Sequence, residues 1–459
     1  MEIEGKTFLV VGLGMSGFAV ARFLKRRGGI VTITDRSPAN KLQQYLADVE
    51  ALDVRLELGG HIEHSFTSAD YIIVSPGVPL TIPPLRLAAE ANVPIMGEIE
   101  LAAVFITKPI VAISGTNGKT TVTTLVGEML KQSGKHVFVG GNIGKPLISF
   151  IDKGENADVA VVEISSFQLD GYFGFRPNVA VLLNIAEDHL DRYEDFDAYV
   201  RSKGRLFASQ AEEDTAVLNG SDFHVLQAAK AAKSRKYYFN SGHNISNGTV
   251  PTEDGLDVLA DGTPVGSIHI HHPYLKAPHN LENVSAAVLA AILAGGTVDG
   301  IQAAIDSFQG LPHRLEYVDT VNGVAYFNDS KATNPDAVRR ALEWFSNPVI
   351  LLMGGMDKGC DYGVLRNVIR EHARALILFG AARGKIQVAL NGSVPVWSEE
   401  TLARAVQRAG DLAEAGDIVL LSPACSSFDA YESYARRGED FRKIVGDLKG
   451  KSNAVVPEK

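Results

Sequence analysis

The stretch that most constrains this chain is the apolar run Ile110-Val111-Ala112-Ile113-Ser114, which passes without a break into Gly115-Thr116-Asn117-Gly118-Lys119-Thr120-Thr121 and then into the helical pattern Val122 to Gln132. A continuous apolar run of this length reads as a strand buried on both faces, hence as part of a parallel sheet with helices packed over it. The loop between strand and helix holds two glycines, so backbone N–H groups and a helix N-terminus can close around an anion. A lysine here neutralises the β- and γ-oxygens of a nucleoside triphosphate, and the adjacent hydroxyl can ligate Mg²⁺. The longer phosphate-loop pattern would put a further glycine where Ile113 stands, so the match is to its shorter Gly-x-x-Gly-Lys-Thr core. The residues predicted to bind ATP or GTP are Gly115, Thr116, Asn117, Gly118, Lys119, Thr120 and Thr121.

The same alternation recurs along the 459 residues, with strand-like runs at Thr7–Val11, Val31–Thr34, Tyr71–Val74, Val159–Ile164, Ala180–Asn184, Val349–Met353, Leu376–Phe379 and Ile418–Leu421. The fold class expected is therefore α/β, and the length calls for several domains. One boundary is expected after the Pro-rich stretch 76–94, near Met96, and another near Gly310-Leu311-Pro312, giving domains at 1–97, 98–310 and 311–459. A second glycine loop, Gly12-Leu13-Gly14-Met15-Ser16-Gly17, follows the first strand, and Asp35 ends the next. As usually written this is a dinucleotide fingerprint, but its physical content is only an anion at a helix N-terminus. NAD and a uridine diphosphate suit it equally, although a dehydrogenase has no need of the phosphate loop at 115.

With 44 Lys and Arg against 54 Asp and Glu, the formal charge is −10, which argues against a nucleic-acid surface. The two cysteines, Cys360 and Cys425, are far apart in sequence and suggest neither a disulfide framework nor a zinc site. No apolar stretch is long enough to span a bilayer, and the start lacks a signal-peptide pattern, so a cytoplasmic protein without membrane insertion is expected.

Glu163 closes the apolar strand Val159–Val162, a position where α/β sheets present ligand-facing groups, and so is a candidate to hold Mg²⁺ together with Thr120. His189 stands in the polar cluster Asn184-Ile185-Ala186-Glu187-Asp188-His189, where it could meet metal or substrate or simply cap a helix. On residue chemistry alone, Lys203, between Ser202 and Gly204 in a helical pattern, reads as a solvated surface group.

Taken together, Gly115-Thr116-Asn117-Gly118-Lys119-Thr120-Thr121, Val161-Val162-Glu163-Ile164-Ser165-Ser166 and Asn184 to His189 resemble the Mur ligase superfamily. The blocks Gly310-Leu311-Pro312-His313-Arg314, Asn328-Asp329-Ser330-Lys331-Ala332-Thr333-Asn334 and Ser422-Pro423-Ala424-Cys425-Ser426-Ser427-Phe428-Asp429 resemble its D-glutamate-adding branch. The resemblance covers essentially the whole chain. It implies an N-terminal Rossmann-like domain for the UDP moiety, a central P-loop ATPase-like parallel sheet, and a C-terminal Rossmann-like domain for the incoming amino acid.

By the same resemblance, Met15, Ser16, Asp35, Arg36 and Gly77 would line the uridine diphosphate site, and Asn142, Ser165 and His189 the muramoyl-alanine end. Asn283 would lie near adenine, Asp329 near ribose and Arg314 near the phosphates, while Thr333, Lys358, Ser427 and Tyr434 would hold D-glutamate. The family often has phenylalanine where Tyr434 stands. Lys203 falls where the family carries a carbamylated lysine, so Thr120, Glu163, His189 and carbamylated Lys203 would serve two Mg²⁺ ions, with Lys119, Glu163, His189 and Lys203 forming the catalytic set.

The activity implied is ATP-dependent amide formation between UDP-N-acetylmuramoyl-L-alanine and D-glutamate through an acyl-phosphate, by a monomer. Lys331 and Lys358 would give an anionic amino acid local positive charge. Diamino-acid-adding members carry an Asp-Asn-Pro-Arg motif where this chain reads Gly355-Met356-Asp357-Lys358. An NAD-dependent oxidoreductase and a nucleotide-regulated binding protein remain as readings from other classes.

Overall fold

The computed structural model describes residues 1–152, 156–171, 174–189, 192–241 and 245–454. They form two compact units, one of Met1–Ile185 with Asp197–Ser307, the other of Ala186–Phe196 with Phe308–Lys459. Three sheets carry them, two in the first unit and one in the second.

The first sheet holds β1 (Thr7–Val11), β2 (Ile30–Asp35), β3 (Arg55–Leu58), β4 (Tyr71–Val74) and β5 (Ile95–Gly97), all parallel in the order 3-2-1-4-5. The strand order reverses between β1 and β4, and such a switch point leaves a crevice outside the carboxyl ends of the strands. The loops leaving those two strands meet there, since Ser75 Oγ donates to the Gly12 carbonyl at 2.9 Å.

The second sheet comprises β6 (Ile110–Ser114), β7 (Val137–Gly141), β8 (Val159–Glu163), β9 (Val179–Leu182), β10 (Thr215–Asn219), β11 (Arg235–Phe239), β12 (Gly248–Pro251), β13 (Gly255–Ala260) and β14 (Thr263–His269). Its order is 14-13-12-11-10-9-6-8-7. β6 lies between β8 and β9, all three parallel, and their residues are buried throughout, as the continuous apolar runs predicted. The loops after Ser114, Glu163 and Leu182 therefore leave the sheet side by side. β12, β13 and β14 add an antiparallel meander that the all-parallel expectation for this sheet did not include.

The third sheet runs β15 (Glu316–Val321), β16 (Val324–Asn328), β17 (Val349–Gly354), β18 (Ala373–Phe379), β19 (Val396–Ser398) and β20 (Ile418–Leu421) in the order 15-16-20-17-18-19. Only the β15–β16 hairpin is antiparallel. Because β16, β20 and β17 are neighbours, the segments after Asn328, Leu421 and Gly354 emerge from one edge. Among the described residues, no helix is long and apolar enough to cross a membrane.

Candidate active site

In the first unit the site is built around the loop between β6 and the helix Lys119–Gln132. That helix has no side-chain cap; its N-cap is Gly118, at φ +86°, so its first N–H groups are left to an incoming anion. A Cβ on Gly118 would stand 2.2 Å from Asn283 Oδ1, so any other residue here must displace that side chain as well as adopt a left-handed backbone. Asn184 pins the loop from the neighbouring strand end: its carbonyl accepts from Thr116 N at 2.9 Å, and its Oδ1 accepts from Asn117 N at 2.8 Å. Tyr199 OH lies 3.1 Å from Thr116 Oγ1.

Around the loop stand the groups that chemistry at a triphosphate needs. Thr120 Oγ1 donates to Glu163 Oε2 at 2.8 Å, and Asn142 Nδ2 donates to Glu163 Oε1 at 2.8 Å. Glu163 is 2% exposed. A hydroxyl and a buried carboxylate in contact are oxygen donors of the kind Mg²⁺ takes. Mg²⁺ is held by one or two carboxylates plus substrate phosphates rather than by a full protein cage. Among the described residues, no group of three or more His, Cys, Asp or Glu is gathered for a metal.

Lys119 Nζ donates to the carbonyls of Gly115 and Thr116, both at 2.8 Å. Lys203 Nζ donates to the same Gly115 carbonyl at 2.8 Å and lies over the Tyr199 ring at 5.1 Å. Two ammonium groups on one acceptor repel each other, so the arrangement favours an anion beside them or the removal of one charge. Lys203 is 1% exposed, which overturns the reading of a solvated surface lysine.

The crevice of the first sheet is organised by Asp35. Its Oδ2 accepts from Leu13 N at 2.7 Å and its Oδ1 from Ser37 N at 2.7 Å, so one carboxylate ties the loop after β1 to the loop after β2. Met15 opens the helix Met15–Arg26, whose N-cap, Gly14, also offers no side-chain bond. Met15, Arg36 and Gly77 are exposed at the rim. Ser165 caps the short helix Ser166–Asp170, accepting from Gln168 N.

In the second unit, Lys358 Nζ is 2.5 Å from Asp188 Oδ1, and Asn334 Nδ2 donates to Asp188 Oδ2 at 3.3 Å. His189, at φ +56°, has its Nε2 3.6 Å from Asp188 Oδ2. Lys331 Nζ reaches Tyr434 OH at 3.1 Å. Burial pushes the Asp329 carboxyl up to about 7, opposed by Ser422 Oγ, which donates to its Oδ2 at 3.0 Å, and by the charge of Arg314. Beneath these groups Arg437 is wholly buried.

Models of known families match three parts of the chain: a Mur ligase MurD-like N-terminal domain over residues 6–97, a Mur ligase middle domain over 113–291, and a Mur ligase glutamate ligase domain over 313–425. The chain is 62% identical to the UDP-N-acetylmuramoylalanine–D-glutamate ligase of Desulfosudis oleivorans, over 98% of both chains. It is 45% identical to the enzyme of the same name from Desulfatibacillum aliphaticivorans, over 98% of this chain and all of the relative. The chain belongs to the Mur ligase family. Among solved structures, a pseudomurein peptide ligase type C from Methanothermus fervidus superposes with a TM-score of 0.62 at 20% identity, covering 97% of this chain and 100% of that one. MurF ligase from Thermotoga maritima in complex with ADP gives 0.60 at 16% identity, over 99% and 96%. These two share the Mur ligase fold of three α/β domains.

Of the residues singled out from sequence, the first unit brings together Gly115 to Thr121, Asn142, Glu163, Lys203 and Asn283. Met15, Ser16, Asp35 and Gly77 lie around the crevice of the first sheet, with Arg36 following Asp35 at its rim. Thr333, Lys358, Ser427 and Tyr434 lie in the second unit with Arg314, Asp329 and His189. Sequence reasoning missed Asn184, Tyr199, Asp188, Asn334 and Arg437. For Asn184 a signal existed, a polar residue directly after a buried strand; for Arg437, in a charge-rich helix, there was none.

Proposed function

We propose that this chain catalyses the ATP-dependent ligation of D-glutamate to UDP-N-acetylmuramoyl-L-alanine, a step of peptidoglycan precursor synthesis, and that it does so as a cytoplasmic monomer. The observation that carries the reading is the 62% identity, end to end, to a relative bearing that activity in its name. In this reading residues 1–97 hold the UDP substrate through Met15, Ser16, Asp35, Arg36 and Gly77. Residues 98–310 bind ATP, and 311–459 bind D-glutamate through Thr333, Lys358, Ser427 and Tyr434. Asn283, Arg314 and Asp329 complete the ATP site, and Asn142, Ser165 and His189 receive the muramoyl-alanine arm.

Thr120, Glu163, His189 and, once carbamylated, Lys203 would hold two Mg²⁺ ions, which supply charge neutralisation to the transferring phosphoryl group. Lys119 and the loop N–H groups hold the β- and γ-phosphates while the substrate carboxylate attacks in line, giving an acyl-phosphate and ADP. The amine of D-glutamate then displaces phosphate. Little covalent work falls to the protein, and orienting two bound reactants can remove roughly 7–11 kcal/mol of barrier.

The test is phosphate release from ATP and Mg²⁺ with UDP-N-acetylmuramoyl-L-alanine, comparing D-glutamate with L-glutamate, L-alanine and diaminopimelate. Release with D-glutamate alone, matched by an amide product, is expected. Release only with another amino acid would overturn the substrate, and none with any of them would overturn the reaction.

A further inference from the structure

The cations of the second unit differ in how their charge is balanced. Lys358 is held by Asp188 at 2.5 Å, and Arg436 pairs with Glu439 at 2.9 Å. Arg437, the next residue, is 0% exposed, yet every bond it makes goes to a neutral acceptor. Its Nε donates to Ser330 Oγ at 3.0 Å, and Nη1 donates to the carbonyls of Gly354 at 3.4 Å and Ser426 at 3.3 Å. Nη2 donates to the carbonyls of Ser330 at 2.8 Å and Cys425 at 3.1 Å. No acid among the described residues forms an ion pair with it. The Asp429 carboxylate acts on it through space while accepting from Ala381 N at 3.0 Å. Burial lowers the guanidinium to about 10, which still leaves it charged at neutral pH.

A buried ion bonded to no carboxylate is costly, because neutral dipoles replace only part of its hydration. What this one fastens is specific. Ser330 begins the turn that carries Thr333, and Gly354 the turn that carries Lys358; Cys425 and Ser426 lead directly to Ser427. Tyr434 lies three residues before Arg437 on the helix Tyr434–Ala454, and its carbonyl accepts from Ser330 Oγ at 2.8 Å. All four residues assigned to the amino acid hang from segments that this one side chain joins.

We infer that Arg437 is a positioning and specificity-determining residue for the incoming amino acid: its buried charge, bonded to neutral acceptors and to no carboxylate, favours an amino acid of net negative charge over its neutral amide. The inference deepens the proposed function and rests on its assignment of the amino-acid site. Arg437 need not touch the substrate. A charge enclosed in protein is poorly screened by salt, so its field reaches a bound carboxylate that a surface lysine would influence only weakly.

The test measures kcat/KM for D-glutamate and the inhibition constant of D-glutamine, its neutral γ-amide, in the full-length wild-type chain and in Arg437→Met and Arg437→Lys, with melting curves for each. Arg437→Met is expected to lose about a hundredfold in kcat/KM for D-glutamate while inhibition by D-glutamine changes less than threefold. Arg437→Lys, which keeps the charge and loses part of the fork, is expected to keep the discrimination and lose kcat. Equal losses for both amino acids in Arg437→Met, or discrimination lost equally in the lysine variant, would overturn the inference and leave Arg437 a structural hub.

If both variants fail to fold, the wild type decides. Its ratio of D-glutamine to D-glutamate affinity is expected to stay within twofold between 0.05 and 0.5 M KCl, whereas a collapse of more than fivefold would assign the discrimination to surface charge. A wild-type chain that does not use D-glutamate at all would instead fail the proposed function, so the two failures are distinguishable.

Discussion

Replacing Gly118 by alanine tests how the phosphate loop is built, and the chain contains its own control. Gly118 sits at φ +86° and Gly134, just past the other end of the same helix, at φ +83°. A Cβ on Gly134 meets nothing within 4 Å, but one on Gly118 would lie 2.2 Å from Asn283 Oδ1 and 3.2 Å from Leu183 Cδ1. Both alanines incur the left-handed backbone cost, about 1–2 kcal/mol. Both regain about 0.4–1 kcal/mol from a less flexible unfolded chain.

Only Gly118→Ala must also push Asn283 off its rotamer, for roughly another 0.5–1.5 kcal/mol. Because that strain falls on the loop and on the side chain assigned to adenine, it is expected in ATP affinity. At about 1.4 kcal/mol per decade, the loss should lie between about twofold and tenfold. Calorimetric titration with a non-hydrolysed ATP analogue should therefore give Gly134→Ala the wild-type affinity and Gly118→Ala an affinity about twofold to tenfold weaker. Adding Asn283→Ala to Gly118→Ala should cost less than the two single effects combined, since the clash is then gone. Equal affinities for the two glycine variants would refute the assignment of the clash.

Lys119→Ala should abolish ADP release, by more than a hundredfold, with an unchanged circular dichroism spectrum; turnover near wild type would remove Lys119 from the catalytic set. Glu163→Gln keeps the shape that meets Thr120 and Asn142 but removes the charge, so the Mg²⁺ concentration for half-maximal rate should rise about tenfold, and an unchanged Mg²⁺ dependence would count against a metal role. Burial raises the Asp329 carboxyl from an ordinary 3.8 to about 7 in the folded chain. The folded chain therefore binds the extra proton, and this group's contribution to stability declines as pH rises from about 4 to 7. Relative to Asp329→Asn, wild-type stability should fall across that window by up to a few kcal/mol at roughly 1.4 kcal/mol per unit; parallel pH profiles for the two would contradict the buried, raised carboxyl.

What was legible from sequence followed from burial on two faces. β6, β8, β9, β17 and β20 lie between other strands and read as unbroken apolar runs, and the phosphate loop added glycine and lysine at the right strand end. The antiparallel parts were harder, because a strand with one wet face alternates. β14 is mostly exposed along Thr263–His269 and carries little apolar signal. Its turn did carry one: Asp261-Gly262 has both φ values positive, as does Asn322-Gly323 between β15 and β16. Asp-Gly and Asn-Gly are the pairs a two-residue hairpin prefers, so both hairpins could have been read from their turns.

Buried charge is the part no local pattern announces. Lys203 and Arg437 both sit in helices whose neighbours are polar, and exposed Arg201 and Arg436 look identical to them in a sequence window. Each buried member is defined by what approaches from far along the chain: the Gly115 carbonyl for Lys203, and the carbonyls of Ser330, Gly354 and Cys425 for Arg437. The two also have a feature in common, a cation directed at backbone carbonyls. Carbonyls hold a cation in place without neutralising it, so Arg437 keeps a positive field for the amino acid proposed to bind above it, whereas the Lys203 ammonium would give up its charge on carbamylation. A carboxylate partner would hold the side chain equally well but would cancel that field, and for a residue meant to attract an anionic substrate this is the physical reason to be anchored by carbonyls instead.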